Sequence, residues 1–392
     1  MRIITKYEKF LETTKTILDV IPQSVKDLHK LFASNGKKLY LVGGSVRDFL
    51  TGDKPKDFDL ATDALPDEVL EILDNKFRTN LQGKAFGVVV VFTKDQPEGM
   101  EIATFREDIS KGRNPEVKLG VTIEDDVKRR DLTYNGLFFD LDTNEIVDLV
   151  GGRKDLEDGI TRTIGDPIER FEEDSLRILR AFRFASRYEH PLHEDTVKAI
   201  QKRKHLENID PETGDMKRIS QERIFEELQK AWKQAKDYNF YLNLISKFDM
   251  WDQVFPGVDI NTNLVDSKDF IVVLANLFNK EKTAGLEKTL VQNFKIDLDK
   301  AKKIVFLLDF TNFNQPIEVF DLFKKKVASG ITDSTLLEWL KVTANQNNML
   351  VRFIDYKPTV SSQELMDQGI KGKELGIKIK ELEAISFTNL LK

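Results

Sequence analysis

An α+β protein with its strands confined to the first part of the chain is what this sequence predicts, on three observations. Residues 1–150 alternate strand-like and helix-like segments, and from Asp166-Pro167 onward long amphipathic runs take over and strand signals nearly vanish. No fixed-period repeat or low-complexity tract is present. The change of pattern predicts a domain boundary near residue 150 in a chain whose 392 residues are enough for two or three domains.

Residues 24–33 carry apolar side chains at helical spacing, and Lys38-Leu-Tyr-Leu-Val42 reads as a strand stopping at Gly43-Gly44. Asp57-Phe-Asp-Leu-Ala61 is a second strand, and residues 66–73 form a helix with acidic residues in its first turn. Residues 86–92 and 100–105 are β-branched or alternating, and 136–140 with 145–149 flank a polar turn like a hairpin. The sum is a small mixed sheet with helices, unlike a doubly wound fold. Helical runs are expected over 171–187, 220–232, 270–278, 298–310, 316–327 and 336–353. The basic clusters Lys202-Arg-Lys204 and Lys324-Lys-Lys326 fit solvated helix faces.

Composition removes several function classes. Cysteine is absent, which excludes disulfide scaffolds, thiol nucleophiles and cysteine-ligated zinc or iron–sulfur sites. The four histidines, His29, His190, His193 and His205, are badly spaced for a metal site, and no His-Asp pair is adjacent, which argues against a metal-dependent phosphohydrolase. A net charge of −6 argues against a surface that clings to nucleic acid everywhere, while leaving room for a local basic patch. Met1 to Lys9 mixes charged and apolar residues and does not read as a signal peptide, and no stretch approaches a spanning helix. A soluble, cytoplasmic protein with no membrane partner is therefore expected.

The sharpest chemical feature is Gly43-Gly-Ser-Val-Arg-Asp48, followed by Asp57-Phe-Asp59. Strand alternation projects Asp57 and Asp59 from one face and turns Phe58 into the core. Two carboxylates that close repel unless a cation lies between them, and Mg²⁺ favours a few carboxylate oxygens completed by substrate phosphate. Gly43 and Gly44, lacking Cβ where a strand turns toward a helix, let backbone N–H groups approach a phosphate, and Arg47 would add charge. Either part alone is common in surface turns; together they point to a metal-assisted phosphoryl or nucleotidyl transferase. Glu101, on an alternating strand, is the candidate third acid, although its spacing equally fits a solvent-facing strand glutamate.

In Arg129-Arg-Asp-Leu-Thr-Tyr-Asn135, arginine forks suit phosphates, a carboxylate accepts from ribose hydroxyls and an amide does both. Taken alone, the block reads better as a charged helix start with Asp131 paired to an arginine. In Glu173-Asp-Ser-Leu-Arg177, helical spacing puts Asp174 and Arg177 on one face. An intrahelical ion pair is the usual explanation, yet a carboxylate beside a guanidinium also resembles the edge of a base and could hydrogen-bond one.

These blocks resemble, in family order, the class II tRNA nucleotidyltransferases (CCA-adding enzymes) and their bacterial poly(A) polymerase relatives. Asp148-Leu-Val-Gly-Gly152 with Asp155, Arg180-Ala-Phe-Arg-Phe-Ala185 and Arg218-Ile-Ser-Gln-Glu-Arg-Ile-Phe-Glu-Glu-Leu228 complete the match, which covers residues 38–230. The resemblance implies a polymerase-β-type nucleotidyltransferase head at 1–150, a helical neck at 151–235 that reads the nucleotide base, and a helical body and tail at 236–392 that hold tRNA. It implies Asp57 and Asp59 as Mg²⁺ ligands and catalytic acids, to which Glu101, from its strand position, is added as the candidate third catalytic acid. Gly43, Gly44 and Arg47 would bind triphosphate, and Arg129, Arg130, Asp131 and Asn135 ribose and phosphate. Asp174 and Arg177, in the block continued by Arg180, would read CTP or ATP. Glu173 would support the neck, Asp148 to Asp155 would act as a hinge, and the helix near Glu222 would buttress the neck. The implied reaction is template-independent addition of CCA to the 3′ end of tRNA by two-metal transfer, with no histidine base.

Two departures matter. Asn135-Gly136 stands where the family has Asn-Ala, with Tyr134 where smaller residues are common. The segment Arg106-Glu-Asp-Ile-Ser-Lys-Gly-Arg-Asn-Pro115 is somewhat shorter than the family's flexible loop, whose truncation accompanies loss of the final A addition. The loop is shortened rather than missing, which favours full CCA synthesis and keeps a CC-adding enzyme as the alternative. Gly83-Lys-Ala-Phe-Gly87 is closer to the CCA-adding form than to a poly(A) polymerase, and the retained acids argue against a catalytically silent RNA clamp. Oligomeric state is not readable from the sequence.

Overall fold

The computed structural model describes residues 17–392 apart from 54, 56, 75, 111–115 and 210–214. The chain divides into two compact units, the first Met1–Ile219 with Gln234–Asp237 and the second Ser220–Lys233 with Tyr238–Lys392.

The first unit is built on a seven-stranded sheet. Its strands are β1 (Leu39–Val42), β2 (Asp59–Thr62), β3 (Arg78–Asn80), β4 (Val88–Phe92), β5 (Met100–Thr104), β8 (Leu137–Asp140) and β9 (Glu145–Asp148), in the order β3-β4-β5-β2-β1-β8-β9. A separate hairpin pairs β6 (Arg106–Asp108) with β7 (Val117–Leu119). Only β2 and β5 run parallel, so the sheet is mixed, as the sequence predicts. Period-2 alternation divides its residues between two cores. Leu39, Leu41, Leu60, Ile102 and Phe139 join the larger one, beneath α1 (Gln23–Ser34), α2 (Gly44–Thr51) and α3 (Pro66–Leu73). Tyr40, Val42, Ala61 and Phe138 face the smaller one with Phe105, Val127 and Ile164.

Helices α4 (Ile123–Lys128), α5 (Gly152–Asp158), α6 (Pro167–Glu173), α7 (Leu176–Tyr188) and α8 (Glu194–Lys202) complete the unit with a second hairpin, β10 (Glu207–Ile209) and β11 (Met216–Arg218). Helix α7 contributes Ala181, Phe184 and Tyr188 to the larger core. Helix α5 starts where the Asp148 carboxylate accepts from the backbone N–H groups of Val150, Gly152 and Arg153. Its first residue has to be glycine, because a Cβ there would lie 2.2 Å from the Thr133 carbonyl oxygen.

Three local expectations change in the first unit. The run 171–187 is two helices, because Asp174 takes an extended conformation (φ −152°, ψ 104°) between α6 and α7. Beyond residue 166, where strand signals nearly vanish, the structure places one short hairpin, β10–β11, that the helical reading did not include. The second strand begins at Asp59 rather than Asp57, although Phe58 still points into the larger core.

Across its described residues the second unit is helical: α9 (Gln221–Gln234), α10 (Tyr238–Lys247), α11 (Trp251–Val254), α12 (Phe270–Leu277), α13 (Leu286–Gln292), α14 (Leu298–Thr311), α15 (Val319–Ser329), α16 (Asp333–Val342), α17 (Asn348–Asp355), α18 (Ser362–Asp367) and α19 (Gly372–Leu391). The run 336–353 is broken at Ala344 (φ 49°), after which Asn347 caps α17. Phe255, Phe278 and Phe294 interlock with centroids 5.0–6.1 Å apart. Glu383, fully buried on α19, accepts from the Tyr356 hydroxyl (2.7 Å) and the backbone N–H groups of Thr359 and Val360 (2.7 and 2.6 Å), which satisfies its charge without an ion pair. Among the described residues no helix is long and apolar enough to cross a membrane.

Candidate active site

Topology gathers the acids at one end of the sheet. Antiparallel pairing sets Val42, the last residue of β1, opposite Asp59, the first of β2, so the Gly43-Gly44 turn stands beside the Asp57–Asp59 segment. Parallel pairing of Leu60 with Ile102 brings Glu101 level with Asp59, on the face opposite the buried Leu60 and Ile102 side chains. The neighbouring strand β8 enters at the same end, where Gly43 N–H donates to the Leu137 carbonyl at 3.2 Å. Gly43 itself turns the chain into α2 with φ 59°, a conformation side-chain-bearing residues rarely adopt.

Asp57, Asp59 and Glu101 form an unbalanced group. Burial, then Glu101, then Asp57 push the Asp59 carboxyl up to about 6, against the opposing pull of Arg130. Divalent cations fit this donor set: carboxylate oxygens are hard ligands, and a cation removes the repulsion that raises Asp59. Among the described residues no group of three or more His, Cys, Asp or Glu side chains is close enough to hold a metal ion by itself.

The arginines beside it are paired. Asp126, 1% exposed on α4, accepts from Arg129 Nε at 2.9 Å and Nη2 at 2.8 Å, and from Arg130 Nε at 3.1 Å and Nη2 at 3.0 Å. Burial works against the charge of Asp126, but Arg130 and Arg129 outweigh it and hold the carboxyl below its usual range. The Arg130 guanidinium also lies 4.6 Å from the Phe138 ring centroid. A Cβ on Gly43 would sit 3.8 Å from Arg130 Nη1, so this guanidinium borders the glycine turn.

Asp131 is paired to an arginine, but not one of its own helix. Its Oδ2 accepts from Arg180 Nε at 2.8 Å and Nη2 at 2.6 Å, and its Oδ1 accepts from Asn135 Nδ2 at 2.9 Å. Burial would raise the Asp131 carboxyl, but Arg180 and Asn135 hold it far below the usual carboxylate range. Arg47 differs from the expectation of a charge available to phosphate. It is 3% exposed, donating to Asp48 Oδ1 (Nη2, 3.0 Å), the Tyr188 hydroxyl (Nε, 2.5 Å) and Asn135 Oδ1. Asp48 also accepts from Arg187 at 2.9 Å and from the Tyr188 hydroxyl at 3.2 Å. Arg47 therefore ties α2 to α7.

Asp174 and Arg177 are not paired on one helix face. Asp174 lies in the break before α7, and Arg177 turns to Glu173 Oε2 (2.5 Å) and to the backbone carbonyls of Arg170 (3.3 Å) and Arg129 (2.8 Å). Arg170 donates to the Lys128 carbonyl at 2.7 Å, so α6 and α7 are stitched to the Arg129–Asp131 segment. The proposed base-reading block and the proposed ribose block are thus adjacent. The shortened loop 106–115 is described only in part: Arg106–Asp108 forms a strand, and 111–115 lie outside the described residues.

Asp126 is the contributor that sequence reasoning missed. The signal was present, since Asp126, Arg129 and Arg130 stand at i, i+3 and i+4. The partnership of Tyr188 with Arg47, 141 residues apart, had no such local signal.

A family model described as the Poly A polymerase head domain matches residues 39–162. The chain is 40% identical over 370 residues to a CCA-adding enzyme of Bacillus pumilus, covering 89% of this chain and 85% of the relative. It is 34% identical over 253 residues to poly(A) polymerase I of Salmonella typhimurium, covering 61% of this chain and 51% of the relative. Its match spans about half the length of that relative and of several others like it. In fold it is similar to the Thermotoga maritima CCA-adding enzyme complexed with tRNA, with a TM-score of 0.68, 19% identity and coverage of 96% of this chain and 94% of that one.

Proposed function

This chain belongs to the family of CCA-adding enzymes, and on that premise we propose that it adds CCA to the 3′ end of tRNA from CTP and ATP, without a template and with Mg²⁺. One observation carries the reading: Asp57, Asp59 and Glu101 meet at the sheet end beside the Gly43-Gly44 turn, with Asp59 raised to about 6 by burial and its acidic neighbours. Asp57 and Asp59 are the Mg²⁺ ligands and Glu101 the third acid. A metal held by Asp57 and Asp59 would supply Lewis-acid activation of the tRNA 3′-hydroxyl and neutralise charge on the α-phosphate and the leaving pyrophosphate.

The chain's own groups then position the reactants. The Gly43 N–H is held by the Leu137 carbonyl, so the Gly44 N–H is the backbone donor left to approach the triphosphate, and the guanidinium groups of Arg130 and Arg47 both border the turn. Arg129, Asp131 and Asn135 form the ribose and phosphate wall, with Arg180 fixing Asp131 and Arg47 fixing Asn135. Asp174 and Arg177 read the base. Residues 1–150 act as head, 151–235 as neck and 236–392 as body and tail, in a cytoplasmic protein.

The test uses purified protein, Mg²⁺ and tRNA ending at the discriminator base, with CTP, ATP or both, followed by sequencing of the 3′ ends. Two C and one A, with A only when both nucleotides are present, is the expected product. Arrest at CC would make the shortened loop decisive. Long A tails would favour the poly(A) polymerase reading, which the Salmonella relative keeps in view.

A further inference from the structure

The hairpin β10–β11 carries a side chain that grips the break between α6 and α7. Asn208 Oδ1 accepts from the Ser175 backbone N–H at 2.8 Å, and Asn208 Nδ2 donates to Asp174 Oδ1 at 3.0 Å. One amide thus makes both bonds to consecutive residues of a segment that belongs to neither helix. Asp174 has left the helical conformation (φ −152°, ψ 104°), so helix geometry does not set where its carboxylate stands. Within its own segment the carboxylate accepts from the Leu176 N–H at 3.3 Å. Arg177 is independently fixed by Glu173 and the Arg129 carbonyl.

We infer that Asn208 is a positioning residue for nucleotide selection: it orients the Asp174 carboxylate that discriminates the incoming base. This rests on the proposed role of Asp174. An amide is suited to the task because it accepts from a backbone N–H and donates to a carboxylate at once; an aspartate there could do only the first while ionised. Discrimination by a hydrogen-bonding site depends on holding its polar groups where only the right base edge pairs with them, so a loosened Asp174 admits the wrong pyrimidine or purine.

The experiment compares wild type, N208A, N208D and D174A on tRNA ending at the discriminator base and at CC, reading kcat/KM for CTP against UTP and for ATP against GTP, at pH 6 and pH 8. For N208A the ratio of correct to incorrect nucleotide should fall roughly tenfold, the scale of a hydrogen bond to a charged group. For N208D the ratio should fall further at pH 8, where two carboxylates face each other, and recover toward wild type at pH 6. A purely structural role would lower all four rates together and leave the ratios and their pH dependence unchanged, which overturns the inference. N208D compares one folded protein with itself at two pH values, and decides the matter even if N208A is not recovered. D174A separates the two levels: selectivity kept in D174A overturns base reading by Asp174, whereas selectivity lost in D174A but kept in both Asn208 variants overturns only the role of Asn208.

Discussion

Two regions of the first unit, side by side, treat charge in opposite ways. At the sheet end, Asp57, Asp59 and Glu101 crowd like charges, and Asp59 is raised to about 6. Just beyond, Arg129 and Arg130 share Asp126, Arg180 holds Asp131, and Arg47 and Arg187 share Asp48. The paired region is settled within the protein, while the carboxylate region leaves like charges facing one another, opposed by Arg130. A frame of internally satisfied ion pairs can hold an unsatisfied site in place, which is what preorganised transfer chemistry needs.

The largest expected effect comes from the unbalanced region. D59N or D57A should reduce nucleotide addition by about a thousandfold or more, with tRNA binding retained, measured by primer extension and filter binding. Because D59N also removes the repulsion, its metal-free form should be more stable than wild type at pH 8, by up to about 3 kcal/mol in denaturant unfolding. A loss of stability instead would show that Asp59 has a native partner.

Breaking the paired region should do the reverse. D126A leaves two guanidinium groups without their shared carboxylate, and unfolding should be easier by about 3–5 kcal/mol. Slightly smaller, G152A drives a Cβ toward the Thr133 carbonyl, 2.2 Å away, and displaces the turn that carries Asn135, at about 3 kcal/mol. Smallest is R180K, which keeps a charge near Asp131 but loses the fork: about 1 kcal/mol, or a few degrees in Tm. If D126A were harmless while R180K was severe, the pairing would be organised around Asp131 instead.

Local pattern carried much of this into view. β-Branched and alternating runs placed every strand of the sheet but the three-residue β3, and the alternation around Phe58 put Asp57 and Asp59 opposite the core even though the strand begins only at Asp59. The break at Asp174 was hidden because Phe171, Ser175 and Ile178 across it are buried at i, i+4 and i+7, the spacing a continuous helix would also show. The β10–β11 hairpin was missed because its strands are three residues long, too short for a period to register. Pairings such as Arg180 with Asp131 join residues 49 apart, and no local rule of spacing reaches that far. The motifs named the acids correctly as neighbours, but sequence could not tell that Arg47 is consumed by Asp48, Asn135 and Tyr188.

The most direct test of the contrast is Mg²⁺ binding to wild type and D59N across pH 5 to 8, followed by calorimetry. A carboxyl raised to about 6 stabilises the metal-free fold while protonated; that contribution is complete below the ordinary value of 3.8 and is lost as pH rises through about 6. Mg²⁺ takes the ionised form, so wild-type affinity should weaken as pH falls through about 6, with a proton released on binding in that range, and D59N should bind weakly at every pH. Affinity that is flat across this range, or unchanged in D59N, would contradict a metal site built on Asp59.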